Sequence, residues 1–198
     1  MSAYTFWREY YFPVLYMEAI FMVQFINDFL KKSNIRGFLF VSILGTLLHF
    51  TYEWSGQNPM IGLFSAISES IWEHLKLLFF PMIIFIIIEY KKYGASSRDL
   101  LAARTLGLFC GLAFIPVSFY TYTGIIGKSF TVLDIAIFFV SAFLTFYIST
   151  KLLQKPLRVT SLTAVILLCV LTALFFLFTF NPPHIQLFLD PVTFRYGI

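Results

Sequence analysis

Charge is scarce in this sequence. Only 12% of its 198 residues are Asp, Glu, Lys or Arg, whereas a soluble domain carries about a quarter. Apolar residues make up 59% of the chain, and the mean hydropathy is +0.83. This composition excludes an ordinary soluble domain and predicts an integral membrane protein.

Cysteine is also scarce, and the first residues do not have the pattern of a signal peptide. Cys110 and Cys169 each lie in the middle of an apolar run, so we expect no disulfide framework and interpret both as packing residues. The first 30 residues place Arg8, Glu9 and Glu18 where a signal peptide would have a short apolar core. We therefore predict no cleaved signal peptide.

Long apolar runs dominate the rest of the chain. Five of them approach or reach the roughly 20 residues that span a 30 Å hydrocarbon core. Loops between them are short, so we expect one transmembrane domain over residues 1–198. Helices are predicted near residues 37–54, 70–90, 100–121, 131–151 and 158–180.

An additional span is predicted within residues 1–36. The stretch from Tyr10 to Leu30 is long enough to cross a bilayer. Its polar residues, among them Glu18 and Asp28, also suit an amphipathic helix that lies in the interface. The fold prediction is thus an all-α, polytopic transmembrane helix bundle of six spans, with five as the alternative.

Lys and Arg residues concentrate in alternate connections, and this pattern predicts the orientation of the chain in the membrane. Ten of the 14 lie in alternate connections, which marks those connections as cytoplasmic in a bacterial inner (plasma) membrane. The C-terminus is then outside. The sequence pI of about 9.1 reflects this topology, and we predict no nucleic-acid partner. The ten cations are Lys31, Lys32, Arg36, Lys91, Lys92, Arg98, Arg104, Lys151, Lys155 and Arg158.

The C-terminal segment, residues 181–198, is too apolar to stay disordered. Three prolines favour an extended form, and side chains such as Leu187 and Phe188 need a partner surface. We predict that this tail folds back as an extended cap over the outer face of the bundle.

Polar residues concentrate between His49 and His74. Ionisable groups near a bilayer are costly unless they have partners, water or a metal, so such a cluster indicates a functional site. A short connection favours antiparallel neighbours, which would bring the two helix ends to similar depth. Three pairs lie four residues apart and share a helix face: His49 with Glu53, Glu69 with Glu73, and Ser70 with His74.

We interpret the cluster as an outward-facing site of a metal-dependent hydrolase that acts on a lipid or lipid-linked substrate. Imidazoles with carboxylates suit a divalent metal such as zinc, and an open coordination position activates water for attack on an ester or amide. The assigned residues are His49, Glu53 and His74 as metal ligands, Glu73 or Glu69 as the catalytic base, Lys76 as charge balance, and Asn58, Ser70 and His184 as further pocket residues.

Other interpretations fit the same residues. Ser70 to Glu73 matches a capping box, and Ser70 with His74 offers the residue types of a nucleophile and its base. Neither HExxH nor HxxxH is present, so convergence depends on helix packing. Proton-coupled or cation-coupled transport and noncatalytic binding of a membrane-protein partner are the alternative functions.

Three strings also resemble a family of small bacterial multi-pass membrane proteins known as a domain of unknown function. They are HFTYEWSGQN at 49–58, ESIWEHLKL at 69–77 and PPHIQLFLDPVT at 182–193. The resemblance covers roughly Gly37 to Ile198 and implies the multi-pass fold without an activity. The chain is also loosely similar to membrane-embedded zinc amidases and lipid hydrolases, which place polar residues at one bilayer face. Their HxxxH element is missing here.

Overall fold

The apolar runs form long helices in the computed structural model, which describes residues 17, 32–93, 99–154 and 156–197. Within these ranges the chain is helical, and an isolated bridge between Leu189 and Tyr196 is the one β-type pairing. The helices are α1 (Lys32–Trp54), α2 (Pro59–Gly62), α3 (Ile71–Tyr93), α4 (Leu100–Ile126), α5 (Thr131–Leu152) and α6 (Ser161–Phe180), followed by a 3₁₀ turn (Gln186–Phe188).

Five of these helices, α1 and α3 to α6, are long and apolar enough to cross a membrane. The predicted all-α, polytopic bundle is thereby confirmed. The additional span that we predicted within residues 1–36 lies almost entirely outside the described residues. Helix α4 runs past its predicted end and stops at Gly127, where φ of +82° lets its N–H bond the Thr123 carbonyl at 2.7 Å.

Side-chain bonds define two ends of the bundle. At one end, Arg104 near the start of α4 bonds Glu89 near the end of α3, and we call this the arginine end. At the other, His49 in the last turns of α1 approaches Glu69 just before α3, and we call this the histidine end. Neighbouring long helices therefore run antiparallel, as short connections favour.

The backbones of helices α4 and α5 approach each other closely. A Cβ added at Gly107 would lie 2.5 Å from the Thr145 carbonyl oxygen, and one at Gly111 would lie 2.9 Å from the Ser141 carbonyl oxygen. Gly107 and Gly111 are four residues apart, a GxxxG spacing, and such small residues let helix backbones approach. Cys110 and Cys169, which we predicted as packing residues, are both exposed, so packing inside the bundle explains neither of them.

The C-terminal tail packs at the histidine end. Phe188 is buried, with its ring centroid 4.8 Å from that of Trp72 and 5.2 Å from that of Phe178. The Asp190 carboxylate accepts bonds from the Val192 N–H and the Thr193 hydroxyl, both at 2.8 Å, which closes a turn. The tail thus covers Trp72, in the first turn of α3.

Candidate metal centre at the histidine end

The connection between α1 and α3 reverses the chain within a few residues. Gly56 and Gln57 both adopt positive φ, at 69° and 61°, a conformation that glycine tolerates best. Asn58 then starts α2, because its Oδ1 accepts the Met60 N–H at 2.9 Å. Asn58 is exposed and serves as a helix cap.

Ser65 fastens this connection to α1. Its fully buried hydroxyl donates to the Leu48 carbonyl and accepts from the Tyr52 N–H at 3.1 Å. Thr51 also donates to the Ser65 oxygen, at 3.0 Å. The loop that carries Glu69 is therefore held against the same helical turns that carry His49.

Three side chains converge at the end of this loop. The Nε2 atoms of His49 and His74 lie 3.8 Å and 3.4 Å from the two carboxylate oxygens of Glu69. One ligand atom from each residue lies within 4.8 Å of the other two. Both histidine side chains are 30% exposed and Glu69 is 51% exposed, so the group is open to solvent or to lipid headgroups.

The orientation of His74 is fixed by the backbone. Its Nδ1 lies 2.9 Å from the Ser70 carbonyl oxygen, which can only accept, so Nδ1 carries a proton. In the neutral ring, the Nε2 lone pair then faces a carboxylate oxygen of Glu69, and two acceptors meet. Either a proton or a metal ion between them would relieve this conflict.

Glu73 and Lys76 form a buried ion pair beside the group. Their side chains are 4% and 0% exposed, and Lys76 Nζ donates to Glu73 Oε2 at 2.7 Å. Lys76 also donates to the Gly62 carbonyl at 2.9 Å and to the Thr179 hydroxyl at 2.5 Å. Glu73, which we predicted as a possible base, therefore faces Lys76 and is not part of the group formed by His49, Glu69 and His74.

The remaining predicted residues lie outside the converging group. Glu53 is exposed, one turn beyond His49 on α1. Ser70 is buried, and its hydroxyl accepts the Glu73 N–H at 3.4 Å, as in the predicted capping box. His184 stacks on Tyr196 in the tail, with ring centroids 4.6 Å apart.

The comparison with known families gives one assignment. Residues 7–198 match the profile described as a family of unknown function (DUF6512). The chain belongs to this family. The match confirms the resemblance drawn from the three strings and extends it well before Gly37. No curated protein and no solved structure matches the chain.

A second polar network in this DUF6512 member was missed by the sequence analysis. Arg104 donates to both Glu89 oxygens, at 2.7 and 2.8 Å, and to Ser149 and Asn34 at 2.7 and 3.2 Å. Ser33 donates to Glu89 at 2.6 Å. These contacts tie α1, α3, α4 and α5 together at the arginine end.

A signal for this network existed in the sequence. Glu89 follows Phe85 to Ile88 without a break in the apolar run, and a carboxylate in a span requires a partner. We counted Arg104 among the loop cations, although it lies inside a predicted helix. The structure shows it 2% exposed and bonded to Glu89.

Proposed function

We propose that His49, Glu69 and His74 bind a divalent metal. Two imidazoles and one carboxylate are donors that favour zinc. The supporting observation is the approach of three ligand atoms to within 4.8 Å of one another. Two histidines and one glutamate form a common catalytic zinc set, which leaves a fourth position open.

The distances support this assignment. Zinc binds nitrogen and carboxylate oxygen at about 2.0–2.2 Å, so tetrahedral ligand atoms lie roughly 3.3–3.6 Å apart. His74 Nε2 lies 3.4 Å from one Glu69 oxygen and His49 Nε2 lies 3.8 Å from the other, with one ligand atom of each residue within 4.8 Å of the other two. The side chains would rotate inward to reach tetrahedral separations. The bond from His74 Nδ1 to a carbonyl is the outer contact that orients metal-binding histidines.

We further propose hydrolysis of an ester or amide in a lipid or lipid-linked substrate. Such a metal supplies an activated water and polarises a carbonyl. The group lies at the last turns of α1 and the first turn of α3, and the lengths of these candidate spans would place it near the lipid headgroups. Nearby, Phe50 and Trp54 are exposed and stack with ring centroids 5.7 Å apart, as suits an interfacial aromatic belt.

In this proposal Glu53, and not Glu69 or Glu73, acts as the catalytic base. Glu69 is assigned as a ligand, and Glu73 is engaged with Lys76. Glu53 is exposed and lies four residues after His49, on the same helix face. It would accept the proton of the attacking water and return it to the leaving group.

The orientation in the membrane is part of the proposal. Lys91 and Lys92 lie in the last turn of α3, at the arginine end, and Lys151 lies in the last turn of α5. Cations favour the cytoplasmic face, so the histidine end would face outward from a bacterial inner membrane.

The first test is metal content. The purified protein in detergent is dialysed against a weak chelator, and bound zinc, iron and manganese are measured in wild type, His49→Ala, His74→Ala and Glu69→Gln. His184→Ala is the matched control, because this third histidine lies outside the group. We expect near-stoichiometric metal in wild type and control, and its loss in the other three variants.

The second test addresses hydrolysis. Metal-loaded protein in vesicles of phosphatidylethanolamine and phosphatidylglycerol is assayed for released fatty acid, with Glu53→Gln beside wild type. Loss of release with retained metal in Glu53→Gln would support the base role. A well-folded wild type without bound metal would overturn the metal proposal and leave transport or partner binding as the functions to test.

A further inference from the structure

The proposed metal site depends on a loop, because Glu69 lies outside the regular helices. His49 is carried by α1 and His74 by α3, so the carboxylate reaches both only if the preceding segment is held in place. Residues 62–70, which run from the last residue of α2 to the residue before α3, are called the ligand loop and include Gly62, Ser65, Ile67 and Glu69. The tethers of this loop decide the geometry of the site.

We propose that Lys76, together with Glu73, is a positioning residue that fixes the ligand loop so that Glu69 meets His49 and His74. This inference rests on the proposed function, since it assigns a purpose to the buried pair beside the metal site. Neither residue touches the proposed metal.

Lys76 holds the beginning of the ligand loop. The three hydrogens of its ammonium group match three acceptors: the Gly62 carbonyl at 2.9 Å, Glu73 Oε2 at 2.7 Å and the Thr179 hydroxyl at 2.5 Å. These acceptors belong to the loop, to α3 and to α6. Fixed donors in a buried site leave the loop little freedom to shift.

Glu73 holds the other end of the loop. Its Oε2 accepts the Ile67 N–H at 3.1 Å, two residues before Glu69. Ser70, which directly follows Glu69, accepts the Glu73 N–H at its hydroxyl and receives His74 Nδ1 at its carbonyl. Glu69 is thus bracketed by two residues that are bonded to the first turns of α3.

The two buried tethers of the loop act on different helices. Ser65 bonds the loop to α1, which carries His49, whereas Lys76 and Glu73 bond it to α3, which carries His74. Loss of the bonds that Lys76 and Glu73 make to the loop would therefore move Glu69 relative to His74, while both histidines stay on their helices. Loss of such an outer contact lowers metal affinity roughly 10-fold to 100-fold.

The test compares two buried ion pairs of the full-length protein. The first variant is the double substitution Glu73→Gln with Lys76→Met, which leaves no unpaired buried charge. Its matched control is Glu89→Gln with Arg104→Met at the arginine end, which removes the other pair. Thr179→Val is a milder variant that removes one Lys76 bond. Each protein is measured for zinc affinity by titration, for thermal unfolding in detergent and for hydrogen exchange of the amides of residues 63–69.

We expect the Glu73/Lys76 variant to bind zinc at least tenfold more weakly and to exchange the loop amides at least tenfold faster. The control should unfold at a lower temperature than wild type and yet keep zinc affinity and loop exchange within about twofold of it. Wild-type zinc affinity and loop exchange in the Glu73/Lys76 variant would overturn the positioning role. If wild type binds no zinc, the proposed function fails, and the exchange comparison still decides whether the pair positions the loop.

Discussion

The two ends of the bundle use similar residue types in different ways. At the arginine end, Arg104 and Glu89 are 2% and 6% exposed, and the guanidinium group is matched by acceptors on three other helices. At the histidine end, His49, Glu69 and His74 are 30% to 51% exposed, and their ligand atoms lie within 4.8 Å of one another. The buried network fastens four helices, whereas the partly exposed group leaves room for a ligand.

The two groups differ in their bonding as well as in their burial. The Arg104 pair is the more deeply buried of the two groups, yet its bonds are already made. The histidine group is partly exposed, and in the neutral His74 ring the Nε2 lone pair faces a Glu69 oxygen. The partly exposed group is therefore the one for which we propose chemistry.

Arg104→Ala should have the largest effect on stability. The change leaves Glu89 buried without its partner, and such a loss costs about 3–5 kcal/mol in unfolding free energy. Thermal and denaturant unfolding in detergent measure it, with the exposed Lys91→Ala as control at the same end. Equal unfolding of the two variants would contradict the structural role of the arginine end.

Added zinc should stabilise the protein through the histidine end. At a free concentration 100 times Kd, binding adds about 2.7 kcal/mol to the unfolding free energy. A thermal-shift titration with wild type, His49→Ala and the Arg104→Ala variant separates the two ends. We expect the shift in wild type and Arg104→Ala and not in His49→Ala, with reversal by a chelator. A shift that persists in His49→Ala would place zinc elsewhere.

His184→Ala should have a smaller effect. The change removes the stack on Tyr196, and aromatic pairs contribute about 0.5–1.5 kcal/mol. Because His184 lies outside the converging group, zinc affinity should stay at the wild-type value. Isothermal titration measures the affinity, and a tenfold loss would show that the tail belongs to the site.

Glu69→Gln without metal should change stability least, by within about 0.5 kcal/mol, because the side chain is half exposed. With zinc present, the same variant should lack the stabilisation seen in wild type. Unfolding of the metal-free protein at a much lower temperature than wild type would instead make Glu69 a structural residue, like Glu89.

Much of the fold followed from local patterns. The five long helices follow from apolar runs of span length, and the close contact of α4 with α5 follows from Gly107 and Gly111. The start of α1 was predicted at Gly37, whereas the helix already includes Asn34, which is 2% exposed. Polar residues at a helix start resemble a loop until their bonding partners on other helices are known.

The residues of the candidate site stood out in the sequence, but the way in which they converge did not. His49, Glu69 and His74 stood out because polar groups are rare in this chain, and the i, i+4 spacing placed Glu53 beside His49. Spacing does not say how a loop folds between two helices. It therefore could not distinguish Glu69, which meets both histidines, from Glu73, which the fold turns toward Lys76.

The sequence by itself determined that this protein is a multi-pass helical membrane protein of its family and where its polar residues concentrate, because span length and hydropathy are local properties. The tertiary structure decided which polar residues meet. Arg104 pairs with Glu89, Lys76 reaches Thr179 on the last helix, and Glu69 approaches His49. Such contacts join residues far apart in the chain, and their distances depend on how the helices pack.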